Sequence, residues 1–413
     1  MTPEVKQRIE QIRQGIVPKG YKKTKTDIVP ADWKESPIGE YIREYTEKTT
    51  IPNQYPVLTS ARTGLMLQTD YYSNRQVTTE DNVGYNILPY GYITFRSRSD
   101  DGRFRFNENR IIERGVISYF YPVFSFSEEV CHEYMLYLRN FSIYRRMYPY
   151  AEGTAQQVLS LKKLGQLKYS LPLVAEQKKI AEILSTQDKT IELQGRKIEE
   201  LKRFKKGCLE KMFPRKGQKV PEKRFPGFTD DWEQRKLNAV VSRESATKIS
   251  SAEFPSVEYE DVISEEGHLN KDIYQKEPGK NGIAFDGSQV LYGKLRPYLH
   301  NWLNPDFKGV AVGDWWVMKP IDADKNFLYR LIQTPQFDNV SNQSSGSKMP
   351  RADWNLVSNT EFMIPYSKVE QHKIGEYFSS LDHLITLHQR KLEEMKKQKK
   401  ALMQLLLTGI VRV

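Results

Sequence analysis

The amino-acid sequence predicts an α+β chain in which two mixed α/β blocks are separated by a pair of long antiparallel coiled-coil helices, with pseudo-two-fold symmetry. Three observations predict this class. A long helical segment occurs twice, the stretch before each copy has similar borders, and both stretches contain short β-type runs. A chain of 413 residues is long enough for each block to bury a core of its own.

The helical repeat is the strongest pattern in the chain. Residues 176–213 align with residues 370–407, and 16 of the 38 aligned positions are identical, including Glu176/Glu370 and Gln177/Gln371. Apolar side chains recur at three- and four-residue spacing in both copies, which is typical of a coiled coil. Each helix would be about 57 Å long at 1.5 Å per residue, too long to bury its apolar stripe alone. We therefore expect the two copies to pack on each other through Ile180, Leu184, Ile191, Ile198, Leu201, Ile374, Phe378, Ile385, Leu392 and Met395.

The middle of the predicted helix pair is polar. In an antiparallel pair the midpoints meet, and Gln194 and His388 lie there. A polar layer in an apolar seam fixes the register of a coiled coil, so we interpret His388 as a structural residue rather than a metal ligand or catalytic base. The ends of the chain also resemble each other, since residues 14–17 (QGIV) repeat as residues 408–411 (TGIV), which predicts that the two termini lie close together.

These patterns divide the chain into five segments. They are an N-terminal helical segment that completes a circular repeat (1–28), a first block (29–172), a first long helix (173–213), a second block (214–365) and a second long helix (366–413). Trp33 and Trp232 open the blocks, and Pro172 and Pro365 close them. Within the blocks we expect strands at 92–95, 116–121, 289–292 and 310–312, and helices at 128–139 and 325–333.

Charge favours a polyanionic partner. The net charge is +11, and basic residues alternate with aromatic residues and Asn in probable loops of both blocks. Arg and Asn can read the edges of bases, while Lys and Arg also hold phosphates. A single run of this kind is more often a solvated surface, but its recurrence in both blocks favours DNA. The candidate DNA-binding residues are Arg96, Arg98, Arg103, Arg105, Asn107, Arg145, Arg146, Lys294, Arg296, Tyr298, Lys348 and Arg351.

The sequence contains no recognisable catalytic or metal centre. No Gly-rich loop follows a strand in the manner of a cofactor site, and Asn304-Pro-Asp-Phe307 resembles a methyltransferase motif only superficially, with Asp in place of Pro. The two cysteines and six histidines show no metal-ligand spacing. The first residues are polar, and no apolar run approaches the ~20 residues of a membrane span, so a cytoplasmic protein is expected.

At this point the chain resembles the specificity subunit of type I restriction-modification systems. The resemblance rests on the duplicated helix starts, Pro172…Glu176-Gln177…Ile180 and Pro365…Glu370-Gln371…Ile374. It rests also on Leu406-Leu-Thr-Gly409, on Arg224-Phe-Pro-Gly-Phe228…Trp232, and on Leu291-Tyr-Gly-Lys-Leu-Arg-Pro297.

The resemblance implies a function and a set of partners. Such subunits carry two target recognition domains, each binding one half of a split DNA sequence, and their helices set the gap between the half-sites. Two DNA adenine-N6 methyltransferase (modification) subunits dock on them and bind S-adenosylmethionine, and restriction subunits that use ATP and Mg²⁺ can join. The specificity subunit itself is not catalytic.

Three alternatives stay open at the level of sequence. One is a specificity subunit whose partner is a fused nuclease-methyltransferase, which differs only in the partner. The second is a self-sufficient modification enzyme, which would transfer a labelled methyl group without a partner. The third is a coiled-coil scaffold for proteins, which would lack DNA binding that strengthens at low salt.

Overall fold

The computed structural model describes residues 2–72, 81–147, 151, 156–343 and 349–413, with no side-chain detail for 142–147. The chain forms two compact units. Unit 1 contains the residues up to Glu192 together with Glu393–Val413, and unit 2 contains Leu193–Leu392. This division differs from the five predicted segments, because each long helix contributes one half to each unit.

Unit 1 is built from the first block and both chain termini. Its elements are α1 (Pro3–Arg13), β1 (Tyr21–Lys23), β2 (Ile28–Pro30), β3 (Lys34–Pro37), β4 (Ile42–Tyr45), β5 (Leu58–Ala61), β6 (Gly64–Leu67), α2 (Gln68–Tyr71), β7 (Asn86–Pro89), β8 (Ile93–Phe95), β9 (Arg98–Ser99), β10 (Phe106–Glu108), β11 (Arg114–Ile117), β12 (Val123–Phe126), α3 (His132–Met147), β13 (Gln157–Val158), α4 (Leu161–Gly165) and β14 (Lys168–Leu171). They are followed by α5 (Val174–Met212), the first long helix.

The core of unit 1 lies on an antiparallel sheet of order β10-β8-β12-β4. Phe124 of this sheet packs edge to face against Phe95 and Phe106, whose own rings are tilted by 40°, and all three are almost fully buried. Strands β3 and β14 pair with each other and close the frame of the block. The chain termini meet here as predicted: Arg8 of α1 donates to the carbonyl oxygen of Ile410 (2.5 Å), and the Tyr21 hydroxyl donates to that of Gly409 (2.7 Å).

Unit 2 is built from the second block. Its elements are β15 (Glu233–Lys236), β16 (Val241–Glu244), β17 (Thr247–Ile249), β18 (Ser256–Val257), β19 (Val262–Ile263), β20 (His268–Leu269), β21 (Asn281–Phe285), β22 (Val290–Gly293), β23 (Trp302–Leu303), β24 (Gly309–Ala311), β25 (Trp315–Pro320), α6 (Lys325–Leu331), α7 (Pro335–Ser341), α8 (Trp354–Asn359) and β26 (Glu361–Ile364). The second long helix, α9 (Lys368–Leu407), follows.

Two four-stranded sheets organise unit 2. One has the order β16-β25-β22-β23 and is antiparallel, and the other, β17-β21-β24-β18, contains one parallel pair. Strands β15 and β26 close this block in the way that β3 and β14 close the first. The opening tryptophans of both frames, Trp33 and Trp232, are 1% and 2% exposed. The two blocks thus share a frame, as their similar borders predicted.

The predicted elements are found with one instructive error. Strands at 92–95, 289–292 and 310–312 and helices at 128–139 and 325–333 appear within a few residues of β8, β22, β24, α3 and α6. The predicted strand at 116–121 ends at Ile117, because Ser118–Tyr121 form a turn closed by a hydrogen bond from the Tyr121 amide to the Ser118 carbonyl oxygen (2.9 Å). Tyr119, Phe120 and Tyr121 therefore belong to this turn and not to β11.

The apolar stripe of the long helices serves two purposes rather than the single one predicted. Ile180 and Leu184 are buried in the core of unit 1, which block residues form together with Leu406 and Leu407 of α9. Ile374 and Phe378 are buried in that of unit 2, together with block residues and with Leu209 and Met212 of α5. A separate cluster between α5 and α9 contains Ile198, Leu201 and Ile385, with Leu392 against it. Met395 is buried and Ile191 is half-buried. The prediction that all ten residues form one helix–helix seam was too simple.

Candidate nucleic-acid interface

In the first block, Arg96 and Arg98 are exposed on and beside β9. The Cζ atom of Arg98 lies 4.4 Å from the centre of the Phe120 ring. Burial raises the pKa of Tyr121, and the charge of Arg96 opposes that rise, so Arg96 also lies near the turn at Ser118–Tyr121. In the part of the chain that the structure describes, neither arginine has a carboxylate partner. Both guanidinium groups are thus available to an external anion.

Two other candidates of this block are engaged within the protein. Asn107 is 6% exposed, and its amide nitrogen donates to Ser60 Oγ and to the Ala61 carbonyl oxygen, both at 2.9 Å. It cannot present these donors to a base, because in this structure they support the sheet. Arg103 is exposed but lies 3.8 Å from Asp101, which also holds Arg62 at 2.9 Å.

Arg105 is exposed and within electrostatic reach of the first long helix. Desolvation lowers the pKa of its guanidinium although part of the side chain reaches solvent, and Asp188 of α5 opposes this lowering. Arg105 is therefore near the N-terminal half of the long helix, and no contact groups it with Arg96 and Arg98 among the described residues. The side chains of Arg145 and Arg146, and the whole of Lys348, lie outside the described residues.

The second block brings two of its candidates, Lys294 and Arg351, to one carboxylate. Arg351 contacts Asp314 through two nitrogens at 3.2 and 3.1 Å, and Lys294 Nζ lies 3.6 Å from the same side chain. The hydrogen bond from Arg351 lowers the pKa of Asp314, with help from Lys294, so the carboxylate stays ionised. Arg296 and Tyr298 follow Lys294 in the same loop, and Tyr298 is 53% exposed. We call these residues and Asp314 the second-block cluster.

The backbone holds the loop of this cluster in a fixed conformation. Gly293 ends β22 where a Cβ atom would lie 2.6 Å from the Tyr259 ring and 2.9 Å from the Asn301 carbonyl oxygen, so only glycine fits. Arg296 has a left-handed backbone (φ 48°), and its amide donates to the Pro350 carbonyl oxygen at 2.7 Å. This hydrogen bond joins the loop to the segment that carries Arg351. It also holds Arg296 in its left-handed conformation, which a non-glycine residue adopts only where its neighbours fix it.

The duplicated Glu-Gln pairs anchor each long helix to its block. Gln177 accepts a hydrogen bond from the Cys131 amide (2.8 Å) and donates to the Pro172 carbonyl oxygen (2.9 Å). Gln371 does the same with the Asp324 amide (2.7 Å) and the Pro365 carbonyl oxygen (2.8 Å). The same residue therefore makes equivalent contacts at both helix starts.

The glutamates are held by arginines that follow the ends of the long helices. Arg412 clamps Glu176 through two nitrogens at 2.5 and 2.8 Å, and these hydrogen bonds raise the pKa of Arg412. Arg224 clamps Glu370 in the same way at 2.6 and 2.8 Å. Paired hydrogen bonds between guanidinium and carboxylate fix direction as well as distance. The position of each block relative to its own helix start is thus well determined.

The predicted polar contact at the helix midpoints is present. Gln194 Nε2 lies 2.8 Å from His388 Nδ1 and donates to the His388 carbonyl oxygen at 2.9 Å. Two further contacts repeat across the duplication: Lys399 binds Asp188 in unit 1, and Lys205 binds Asp382 at 2.7 Å in unit 2.

Sequence reasoning missed the residues that organise the two surfaces. Asp314 carries no pattern that would separate it from any other loop carboxylate. Tyr119 and Phe120 were assigned to a strand, although both are exposed in the structure, at 53% and 43%. A run of three aromatics directly before Pro122 was the available signal, since a residue that precedes Pro often lies in a turn.

None of the helices in the described ranges has the length and apolar character needed to cross a membrane.

Comparison with known proteins gives one consistent result. The profile of the family described as type I restriction modification DNA specificity domain matches residues 30–203 and 229–397. The MjaVIII type I restriction enzyme specificity subunit of Methanocaldococcus jannaschii is 28% identical over 285 residues, which is 63% of this chain and 66% of that protein. The EcoDI specificity subunit of Escherichia coli is 23% identical over 391 residues, or 84% of this chain and 80% of that protein.

Solved structures show the same fold. The S subunit of a type I restriction-modification system from M. genitalium has a TM-score of 0.56 at 14% identity, covering 95% of this chain and 99% of that one. A chain of another type I system, solved to explain complex assembly, has a TM-score of 0.54 and covers 93% of this chain. The family profile matches the blocks and the long helices together, twice in the same order. This chain therefore belongs to the type I restriction-modification DNA specificity family.

Proposed function

We propose that this chain is the non-catalytic, sequence-reading subunit of a type I restriction-modification complex, with each block reading one half of a split double-stranded DNA target. The observation that carries the proposal is the duplication itself. Two blocks with a common frame carry different cations: the exposed Arg96 and Arg98 in the first, and the exposed Arg351 with the half-buried Lys294 and Arg296 in the second. A common frame with different contact residues suits two different half-sites.

We assign the gap between the half-sites to the long helices. Within unit 2, contacts between α5 and α9 pair residues whose numbers rise in one helix and fall in the other, as in Gln194–His388 and Lys205–Asp382. This supports an antiparallel coiled coil with pseudo-two-fold symmetry. Gln194 and His388 occupy the same position of the repeat, so their hydrogen bond lies where the symmetry axis would pass. Helix length would then determine how many base pairs separate the half-sites.

We also assign to the helices the docking of two adenine methyltransferase (modification) subunits. Leu193 and Leu387 occupy one repeat position and are 63% and 46% exposed, and Phe204 and Leu384 add further exposed apolar area on the same helices. Leu384 and Leu387 are three residues apart and so lie on one face of α9, and neighbouring exposed apolar side chains favour a protein partner. S-adenosylmethionine would be bound by these partners, and ATP and Mg²⁺ by restriction subunits. Because the complex would act on DNA inside the cell, we place this chain in the cytoplasm.

The test is to map methylated sites in cells that carry this chain together with its methyltransferase. A split target with two constant half-sites is expected, and its first half-site should change when residues 29–172 are replaced by those of another family member. Methylation at a continuous site, or methyl transfer by the purified chain alone, would contradict the proposal. Loss of methylation in cells that lack this chain is the matching control.

A further inference from the structure

The turn at Ser118–Tyr121 of the first block, here called the aromatic turn, exposes two flat rings side by side. The ring centres of Tyr119 and Phe120 are 4.0 Å apart, and the Tyr119 ring meets Tyr85 edge to face at 5.6 Å. Both rings are about half exposed, at 53% and 43%. Two adjacent aromatic rings in solvent are costly for a soluble protein unless a partner covers them.

The backbone of the aromatic turn is fixed by side chains from neighbouring strands. Ser97 Oγ donates to the Phe120 carbonyl oxygen at 2.6 Å. Asn86 Nδ2 donates to the Tyr121 carbonyl oxygen at 2.8 Å and reaches that of Tyr119 at 3.4 Å. A turn held in this way presents its rings in one orientation and loses little conformational entropy when they bind.

Positive charge borders the rings. Arg98 lies over the Phe120 face, and Arg96 is close enough to influence the pKa of Tyr121. Two other exposed arginines of this block are paired, Arg110 with Glu108 (2.7 Å) and Arg114 with Glu47 (3.3 Å). Within the described ranges, the two arginines beside the aromatic turn have no carboxylate, so this surface combines free cations with flat apolar rings.

We propose that the aromatic turn is a DNA wedge: Tyr119 and Phe120 insert against a base step of the half-site read by the first block, while Arg96 and Arg98 hold the flanking phosphates. Apolar wedges that unstack a step are a known means of DNA deformation, and aromatic rings stack on any base because every base has a flat face. Because unstacking is easiest at pyrimidine–purine steps, the wedge would favour such a step without forming hydrogen bonds to it. This inference rests on the proposed DNA-reading function.

The experiment uses the full chain and duplexes of its mapped target with 2-aminopurine placed in turn at each adenine. The parent should raise the fluorescence at one position, in one half-site only, because an unstacked 2-aminopurine is less quenched. Tyr119→Ala/Phe120→Ala should abolish this rise and weaken binding by about 10- to 100-fold. Tyr119→Phe/Phe120→Tyr keeps both rings and should retain the rise. Tyr90→Ala, which removes a ring that is 59% exposed elsewhere in the same block, should bind like the parent.

Several results would overturn the wedge. One is a double-alanine variant that binds DNA with an affinity within twofold of the parent's and still raises the 2-aminopurine fluorescence. Another is a parent complex without any rise. A third is a variant that keeps its DNA affinity but no longer retains the methyltransferase subunit, which would make this face a protein-docking surface. An unchanged urea midpoint must accompany the expected loss, and Arg96→Gln/Arg98→Gln, which leaves the turn intact, should lower affinity and flatten its salt dependence. Failure of the parent to bind its mapped target would instead refute the proposed function.

Discussion

Replacing Gln371 by Leu should uncouple α9 from the second block. The side chain is 1% exposed and joins two backbone groups, the part-buried Asp324 amide and the buried Pro365 carbonyl oxygen. Leu has a similar size but satisfies neither group. Each buried group left without a partner costs about 1–3 kcal/mol, and Asp324 is only half-buried, so we expect a total loss of about 3 kcal/mol.

Urea unfolding followed by tryptophan fluorescence measures this loss. Trp232, Trp302, Trp315, Trp316 and Trp354 lie in unit 2, while only Trp33 lies in unit 1, so the signal reports mainly on unit 2. With a slope of about 2 kcal/mol per molar urea, the midpoint should fall by about 1.5 M. The matched control is Gln234→Leu, since Gln234 is exposed on β15. A midpoint for Gln371→Leu within about 0.25 M of the parent would refute the anchoring role of this residue.

Three further predictions concern charge, docking and pH. Asp314→Asn should strengthen non-specific DNA binding several-fold and steepen its salt dependence by about one unit, because Lys294 and Arg351 lose the carboxylate that competes with phosphate. DNA titrations at several salt concentrations test this, and an unchanged affinity with an unchanged salt dependence would count against it. Leu193→Asp/Leu387→Asp should weaken capture of the methyltransferase subunit at least tenfold while the urea midpoint changes little, and unchanged capture would remove these residues from the docking surface. Hydrogen bonds from Lys368 and Arg235 lower the pKa of Asp322 to about 2 from its ordinary value of 3.8. The contribution of this carboxylate to the stability of the folded chain should therefore be complete above pH 4 and disappear as the pH falls towards 2. Urea midpoints between pH 2 and 5 test this, because Asp322→Asn should flatten the acid side of the profile.

The sequence predicted the frame of the molecule well, because the frame is duplicated. Each position of the long helices could be compared with its equivalent, and this comparison alone identified the Glu-Gln pairs and placed Gln194 beside His388. Periodicity also indicated which helix residues are buried. It could not show that block residues share in burying Ile180 and Phe378 while the cluster of Ile198, Leu201 and Ile385 contains helix residues alone, because burial by a distant segment leaves no periodic pattern.

The contact surfaces could be predicted only in part. A list of basic residues does not reveal which of them are neutralised by residues far along the chain, as Asp314 does for Arg351 across 37 positions. Nor does it distinguish an exposed amide from one that supports a sheet, which is why Asn107 was assigned to DNA. Tyr119 and Phe120 were missed because an aromatic run suits a buried strand as well as an exposed turn, and only the hydrogen bonds from Ser97 and Asn86 decide between them.

In the proposed function, two blocks read two half-sites and helix length sets the gap between them. Mapping methylated sites after a four-residue insertion at equivalent points of both helices, after Gly195 and after Gln389, tests it most directly. Four residues add one turn and about 6 Å, which corresponds to about two base pairs. We expect unchanged half-site sequences with a gap that is longer by one or two base pairs. New half-site sequences with an unchanged gap would contradict the account.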